Sequence, residues 1–241
     1  MADQPPTLLV VPTPQPPASL DDPIWESTAS EARIAHYHDK SSDHRPAASC
    51  RVLYDSQALY LRFDVEDRYV VARHAEPNSP VYQDSCAEFF FSPADGIYIN
   101  VETNCLGASL VQLHTYDAPR EGKALAPALV ARLDRTASLA GRLAAGADEL
   151  AEPTRWRLGL TVPLDVVAEA VGGARLELMA AEASESLQHG PLRMPAPGVE
   201  WGGNFFKCAD GSTHPHWGAW APIGEPLNFH KPECFGRLVF A

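Results

Sequence analysis

The sequence predicts an all-β protein: an antiparallel β-sandwich of jelly-roll type, with one short helix and long irregular loops towards the C-terminus. Three observations carry this. Several segments alternate apolar and polar residues with period two, as half-buried strands do. Gly and Pro, 16 and 22 of the 241 residues, punctuate the chain as turns between many short strands require. A single segment has a helix start signal and a helix stop signal together.

Seven prolines fall within residues 1–23, so residues 1–19 read as an extended Pro-rich arm or edge segment lying on a domain that spans 20–241. The first strong strand is 57–66, where Leu59, Leu61, Phe63 and Val65 alternate with Tyr60, Arg62, Asp64 and Glu66. Strands at 86–92 and 97–104 flank the turn residues Asp95-Gly96 and read as a hairpin. Residues 117–153 carry ten alanines between 124 and 151; short strands near 128–133 and 137–143 compete there with a helix. Residues 156–162 alternate again. Pro163 starts a helix over Leu164–Val171, and Gly172-Gly173 ends it. Strands at 175–181 and 235–240 complete the series.

Composition narrows the function. Hydrophobic residues are 45% and charged residues 21% of the chain, and the net charge is −12. That balance argues against nucleic acid or an anionic membrane as partner, because both reward Lys and Arg. No apolar run is long enough to span a bilayer. The first residues lack the basic region and the apolar length of a signal peptide, so the expected location is cytoplasmic, unless a leader has been removed. Five cysteines without a CxxC pair indicate mainly buried thiols. The phosphate loops GxGxxG and GxxxxGK[ST], the GxSxG elbow and HExxH are absent, which leaves the common nucleotide, hydrolase and zincin readings without support.

Three clusters and one group of acids could carry chemistry. On the second hairpin strand, Tyr98, Asn100, Glu102 and Asn104 share one face, and a loop over 93–97 sets Glu88 opposite Glu102. Like charges placed so are destabilising, unless a ligand, a cation or a shared proton lies between them; a register shifted by one would separate them. The second cluster is aromatic: Trp201, Phe205, Phe206, Trp217, Trp220 and Phe229, with Tyr82 upstream. Aromatic rings on loops stack on the C–H face of a sugar while carboxylates and amides bind its hydroxyls. Trp25, Trp156 and Trp201 read as core, and Trp220 as the exception. The third cluster is His214, His216 and His230, which read as hydrogen-bonded loop residues ahead of metal ligands. Asp64, Glu66 and Asp67 read equally as calcium ligands or as a wet strand end.

The stretches DDPIWESTAS, RVLYDSQALYLRFDVEDR, VYQDSCAEFFFSP, YINVETNCLG, WRLGLTVPL and the tail from NFFKCADG to GRLVF resemble, in this order, the carbohydrate-binding module family 9-like proteins of the DOMON-like sandwich group. The resemblance implies a non-catalytic module that holds a mono- or oligosaccharide, including a glycan chain end, between two aromatic rings. It sets Tyr82 at the first ring, Glu88 at the acid, Trp220 at the second ring and Asn204 at an amide. Asn100 stands near a position that is basic in the xylan-binding members. Tyr for Trp and Asn for Arg are departures that bear on xylan specificity. The resemblance also implies structural calcium, without assigning its ligands. The expected sugar site is therefore Tyr82, Glu88, Asn100, Glu102, Asn104, Asn204 and Trp220. Two other classes stay open. One is a haem-binding relative using Met179 or Met194 with a histidine; the other is a glycan-acting enzyme using Glu88 and Glu102.

Overall fold

The computed structural model describes residues 4–180 and 190–241, and side chains within 175–180 are outside the description. In chain order the strands are β1 (Thr7–Pro12), β2 (Glu31–Ile34), β3 (His36–Tyr37), β4 (Ala47–Tyr54), β5 (Ala58–Val70), β6 (Cys86–Ala94) and β7 (Ile97–Asn104). They continue with β8 (Ser109–Thr115), β9 (Lys123–Ala124), β10 (Asp134–Ala137), β11 (Leu150–Pro163), β12 (Glu200–Cys208), β13 (Trp217–Ala219) and β14 (Gly236–Phe240). Among the described residues three α-helices join them: α1 (Ile24–Ser27), α2 (Pro127–Val130) and α3 (Leu164–Ala180).

The strands form two curled layers. One runs β14-β12-β6-β7-β8-β9, with β13 and β3 added beside β12; the other runs β10-β11-β5-β4, with β2 beside β4. Nearly every pairing is antiparallel, as the alternation predicts. The exception is β1, which is parallel to both of its neighbours. Thr7–Val10 pairs with β14 in the first layer, and Val11–Pro12 pairs with β4 in the second. The Pro-rich segment is thus not merely an arm laid on the domain. It holds six residues of strand, Thr7–Pro12, that join the two layers.

The inward faces meet in one core. Phe89 stacks on Phe205 at 5.1 Å and on Phe91 at 4.7 Å, Phe91 stacks on Trp201 at 5.5 Å, and Phe63 of the opposite layer meets Phe205 edge-on at 6.3 Å. Each such ring contributes roughly 1.5–3 kcal/mol by burial. Trp25, Trp156 and Trp201 are buried, in agreement with their reading as core. The outer face of the first layer carries a second apolar cluster: Phe90, Tyr98, Phe206 and Ala219 lie under Ile223, Phe229 and Phe235 of the C-terminal segment.

Between 117 and 181 one open choice is decided and one expectation fails. Pro127–Val130 is a helical turn, and 134–137, rather than 128–133 or 137–143, is the strand. Helix α3 runs through Gly172 and Gly173 to Ala180, so the stop at Val171 and the strand from 175 to 180 are incorrect; residue 181 lies outside the described residues. A glycine inside a helix costs only about 1 kcal/mol relative to alanine. Leu164, Val166, Val167 and Val171, buried against the core, offset it.

Candidate functional site

The hairpin builds the floor of a cleft. The Asp95-Gly96 turn, with Gly96 at φ 77°, is tighter than the loop expected over 93–97, and an irregularity between Phe91 and Ala94 absorbs the difference. Glu88 still pairs with Glu102 across β6 and β7. Period two then puts Cys86, Glu88 and Phe90 outward on β6, while Ala87, Phe89 and Phe91 join the core. On β12, Cys208 pairs with Cys86 on one side and with Trp217 on the other, so a cysteine, a cysteine and a tryptophan stand in one row.

A cleft of about 430 Å³ opens over this row. Tyr82 and Trp217 line it with Phe229; Glu88, Glu102 and Cys208 form its floor; Gln112, Arg120, Asp210, Asn228 and His230 supply polar edges. Its volume falls within the range of small-molecule sites. Asp210 anchors the Trp217 ring and the backbone that carries Tyr82. Trp217 Nε1 donates to Asp210 Oδ1 at 2.7 Å, and the Asp210 and Gly211 amides donate to Tyr82 O and Gln83 O at 3.1 and 2.8 Å.

The floor is electrostatically unusual. Glu88 Oε1 accepts from Cys208 Sγ at 3.0 Å, and Glu102 Oε1 accepts from Asn100 Nδ2 at 2.7 Å. Glu88 Oε2 and Glu102 Oε2 are buried and have no hydrogen-bond partner among the described residues. Burial, with Cys208 and Glu102 beside it, holds the Glu88 carboxyl well above its ordinary range. Burial pushes Glu102 up to about 8, against the opposing bond from Asn100. Buried carboxylates without cations keep their protons. Asn100 Oδ1 lies 2.9 Å from His114 Nε2, and burial lowers His114 to about 3 and His230 to about 4. The two histidines near the carboxyls are thus neutral.

Of the seven expected residues, Tyr82, Glu88 and Glu102 line the cleft, and Asn100 lies beneath it through its bond to Glu102. The other three do not reach it. Asn104 shapes the turn after β7: Oδ1 accepts from the Leu106 and Ala108 amides, and Nδ2 donates to Asp84 Oδ2 and His74 O. Asn204 is buried and pins the chain at Ala221, accepting from its amide and donating to its carbonyl at 2.9 Å each. Trp220 is only 7% exposed and packs edge-on against Phe205 in the core. It is not a cleft ring, and Trp217, three residues earlier, is. The spacing held a hint: an odd offset along a strand puts two side chains on opposite faces.

The remaining clusters are occupied elsewhere. His214 stacks on Tyr69 at 3.6 Å, His216 bonds Lys207, and His230 bonds Tyr98, so the three histidines are loop-fixing residues that share no centre. Asp64 pairs with Arg62, Glu66 with Arg155 and Asp67 with Lys207. These three acids face different cations and do not converge. Met194 is 41% exposed, outside any apolar slot a haem would need, and the Met179 side chain lies outside the described residues. No helix among the described residues is long and apolar enough to cross a membrane.

Comparison with known proteins agrees with this architecture. Residues 20–174 and 192–240 match the model of a family described as carbohydrate-binding family 9. A protein of Bacteroides uniformis, provisionally assigned as carbohydrate-binding, superposes with a TM-score of 0.79 at 24% identity, covering 99% of this chain and 100% of its own. A family 9 carbohydrate-binding module of Caldicellulosiruptor kristjanssonii, solved with cellotriose, superposes with a TM-score of 0.54 at 16% identity, over 98% of this chain and 93% of its own. A structure of a module from the same organism with glucose gives 0.54 at 15% identity, over 98% and 96%. No curated protein matches the chain.

Proposed function

The chain belongs to carbohydrate-binding family 9, and from that premise and the geometry of the cleft we propose that it holds a mono- or oligosaccharide, without catalysis, between Tyr82 and Trp217. The observation that carries this is the placing of two aromatic rings, Tyr82 and the Asp210-bonded Trp217, over a floor of two carboxyls. A pyranose offers apolar C–H faces to the rings and hydroxyls to the groups below. Glu88 and Glu102 accept from or donate to those hydroxyls, Asn100 fixes the orientation of Glu102, and Gln112, Arg120 and Asn228 reach the rim. The cleft is short, which suits one or two sugar units at a chain end better than the middle of a long glycan. The related modules solved with glucose and cellotriose make these sugars the first to try.

Calorimetric titration with glucose and cello-oligosaccharides, extended to a panel of simple sugars, tests the reading. Binding of at least one sugar is expected, weakened at least about tenfold by Tyr82→Ala and by Trp217→Ala. Folded protein that binds nothing in the panel, or binding that neither variant affects, would overturn it.

A further inference from the structure

The pairing of Cys86 with Cys208 beneath the cleft has a consequence independent of sugar binding. Their Sγ atoms and a carboxylate oxygen of Glu88 all lie within 4.8 Å of one another. A tetrahedral zinc ion, with Zn–S near 2.3 Å and Zn–O near 2.0 Å, needs its donors about 3.3–3.8 Å apart, so rotamer adjustment alone would close the site. Cys208 Sγ already stands 3.0 Å from Glu88 Oε1, while Glu88 Oε2 is buried and unpartnered. We propose that Cys86, Cys208 and Glu88 form a site for a soft divalent cation of the zinc class at the floor of the cleft.

The donor set decides the class of ion. Two thiolates favour zinc over calcium or magnesium, which prefer all-oxygen shells. Three protein ligands leave a fourth position. Cys208 and Glu88 both border the cleft, so an ion can enter there, and the open position faces the same space, to be filled by water or by an oxygen of a bound molecule. An ion bound there would displace the protons of Glu88 and of the two thiols, as ligation requires, and Asp210 adds a carboxyl to the cleft edge. The same residues recommend themselves by position: they come from neighbouring strands β6 and β12, held in register by the ladder, and not from loops that would have to order around the ion.

The test uses full-length protein kept reduced with a non-thiol reductant and freed of metal by chelation. Titration with cobalt(II) should give one equivalent bound, with intense tetrahedral d–d bands and a near-ultraviolet thiolate-to-cobalt charge-transfer band. One equivalent of zinc should remove both. Cys86→Ser and Cys208→Ser should each abolish the charge-transfer band, while Cys50→Ser and Cys234→Ser keep it. Because a buried variant can fail to fold, wild-type protein loaded with zinc is also examined by X-ray absorption. Two sulfurs near 2.3 Å with oxygen near 2.0 Å are expected. A shell of nitrogen and oxygen alone, no uptake at micromolar metal, or a cobalt spectrum unchanged in both cysteine variants would overturn the site. So would formation of a Cys86–Cys208 disulfide in air by protein that takes up no metal once reduced.

Discussion

Lys207 and Asp67 meet between the two layers: Nζ lies 3.1 Å from Oδ2, and neither side chain reaches solvent. Lys207 comes from β12, which also carries Cys208 of the cleft floor, and Asp67 from β5 of the opposite layer. The ammonium hydrogen-bonds His216 Nε2 at 2.7 Å and Cys208 O at 3.0 Å and has Asp67 as its counter-ion. Asp67 Oδ1 is bonded in turn by His44 Nε2 at 2.7 Å and by the Tyr69 amide at 3.1 Å. His216 must accept from Lys207 at Nε2, so it donates from Nδ1 to His214 O, 3.0 Å away. One buried ion pair thus fixes the spacing of the layers, the tautomer of a histidine and the end of the strand that supplies the cleft.

Removing one partner of that pair should be costly. Lys207→Met leaves Asp67 as a buried carboxylate without a cation, a change that costs about 3–5 kcal/mol. Lys207→Met combined with Asp67→Leu removes both charges and should be less damaging than the single change. Denaturant unfolding of the two variants checks the order. A double variant no more stable than Lys207→Met would show that the ion pair is not the source of the loss.

Acid should expose the same pair. Burial alone would raise Asp67, but Lys207 and His216, with the bond from His44, hold it at about 2, against 3.8 for a free aspartate. A folded value below the unfolded one is stabilising above the unfolded value, and that stability disappears as pH falls from about 4 through about 2. The amount is on the order of 2–3 kcal/mol. His216, held by burial and then by Lys207 at about 3 against 6.5, has the same sign: unfolded protein takes up a proton that the fold refuses, so stability falls as pH drops from about 6.5 to about 3. Comparison of wild type with Asp67→Asn isolates the carboxylate. Their stability difference should be constant from neutral pH to about pH 4 and shrink below it. A difference that stays constant to about pH 2 would remove Asp67 from the acid response.

What the sequence disclosed follows the range of the interaction that decides each feature. The hairpin register was legible because Asp95-Gly96 turns the chain locally, and alternation then sets Glu88 against Glu102. The core tryptophans were legible because Trp156 lies in a run of alternating residues. The parallel insertion of β1 was not, because its partners β4 and β14 are distant in sequence. Nor was the burial of Lys207, a lysine in an apolar run whose counter-ion is 140 positions upstream (207 − 67). Trp220 was preferred to Trp217 for the same reason: the outward face of β13 is set by its pairing with β12, not by any pattern within GAWAP.

Gly236 should tolerate no side chain. A Cβ there would lie 2.7 Å from Trp220 Cη2 and 2.8 Å from Pro6 O, and a buried indole between Phe205 and the first strand has no room to swing aside. Gly236→Ala should cost about 1–3 kcal/mol through overpacking, with sugar affinity unchanged once folding is complete. Thermal unfolding together with calorimetry decides it. An affinity loss without a stability loss would place Trp220 back among the ligand-contacting residues.

The two tryptophans of the tail give the sharpest contrast. Trp220 fills the core, so Trp220→Ala should lose roughly 3–5 kcal/mol of stability. Whatever fraction remains folded should bind sugar as before, because the ring does not line the cleft. Trp217 borders the cleft and gives its indole N–H to Asp210. Trp217→Ala should cost only about 1 kcal/mol of stability, the net worth of a hydrogen bond and some partly exposed contact. It should weaken sugar binding by about 2 kcal/mol, or roughly thirtyfold. Trp217→Phe keeps a ring without the anchor and should fall between. Unfolding midpoints and sugar affinities measured on all three variants form one experiment with a single required pattern: stability lost at 220, affinity lost at 217. The opposite assignment, or affinity lost equally at both, would mean that the ring facing the sugar has been misplaced.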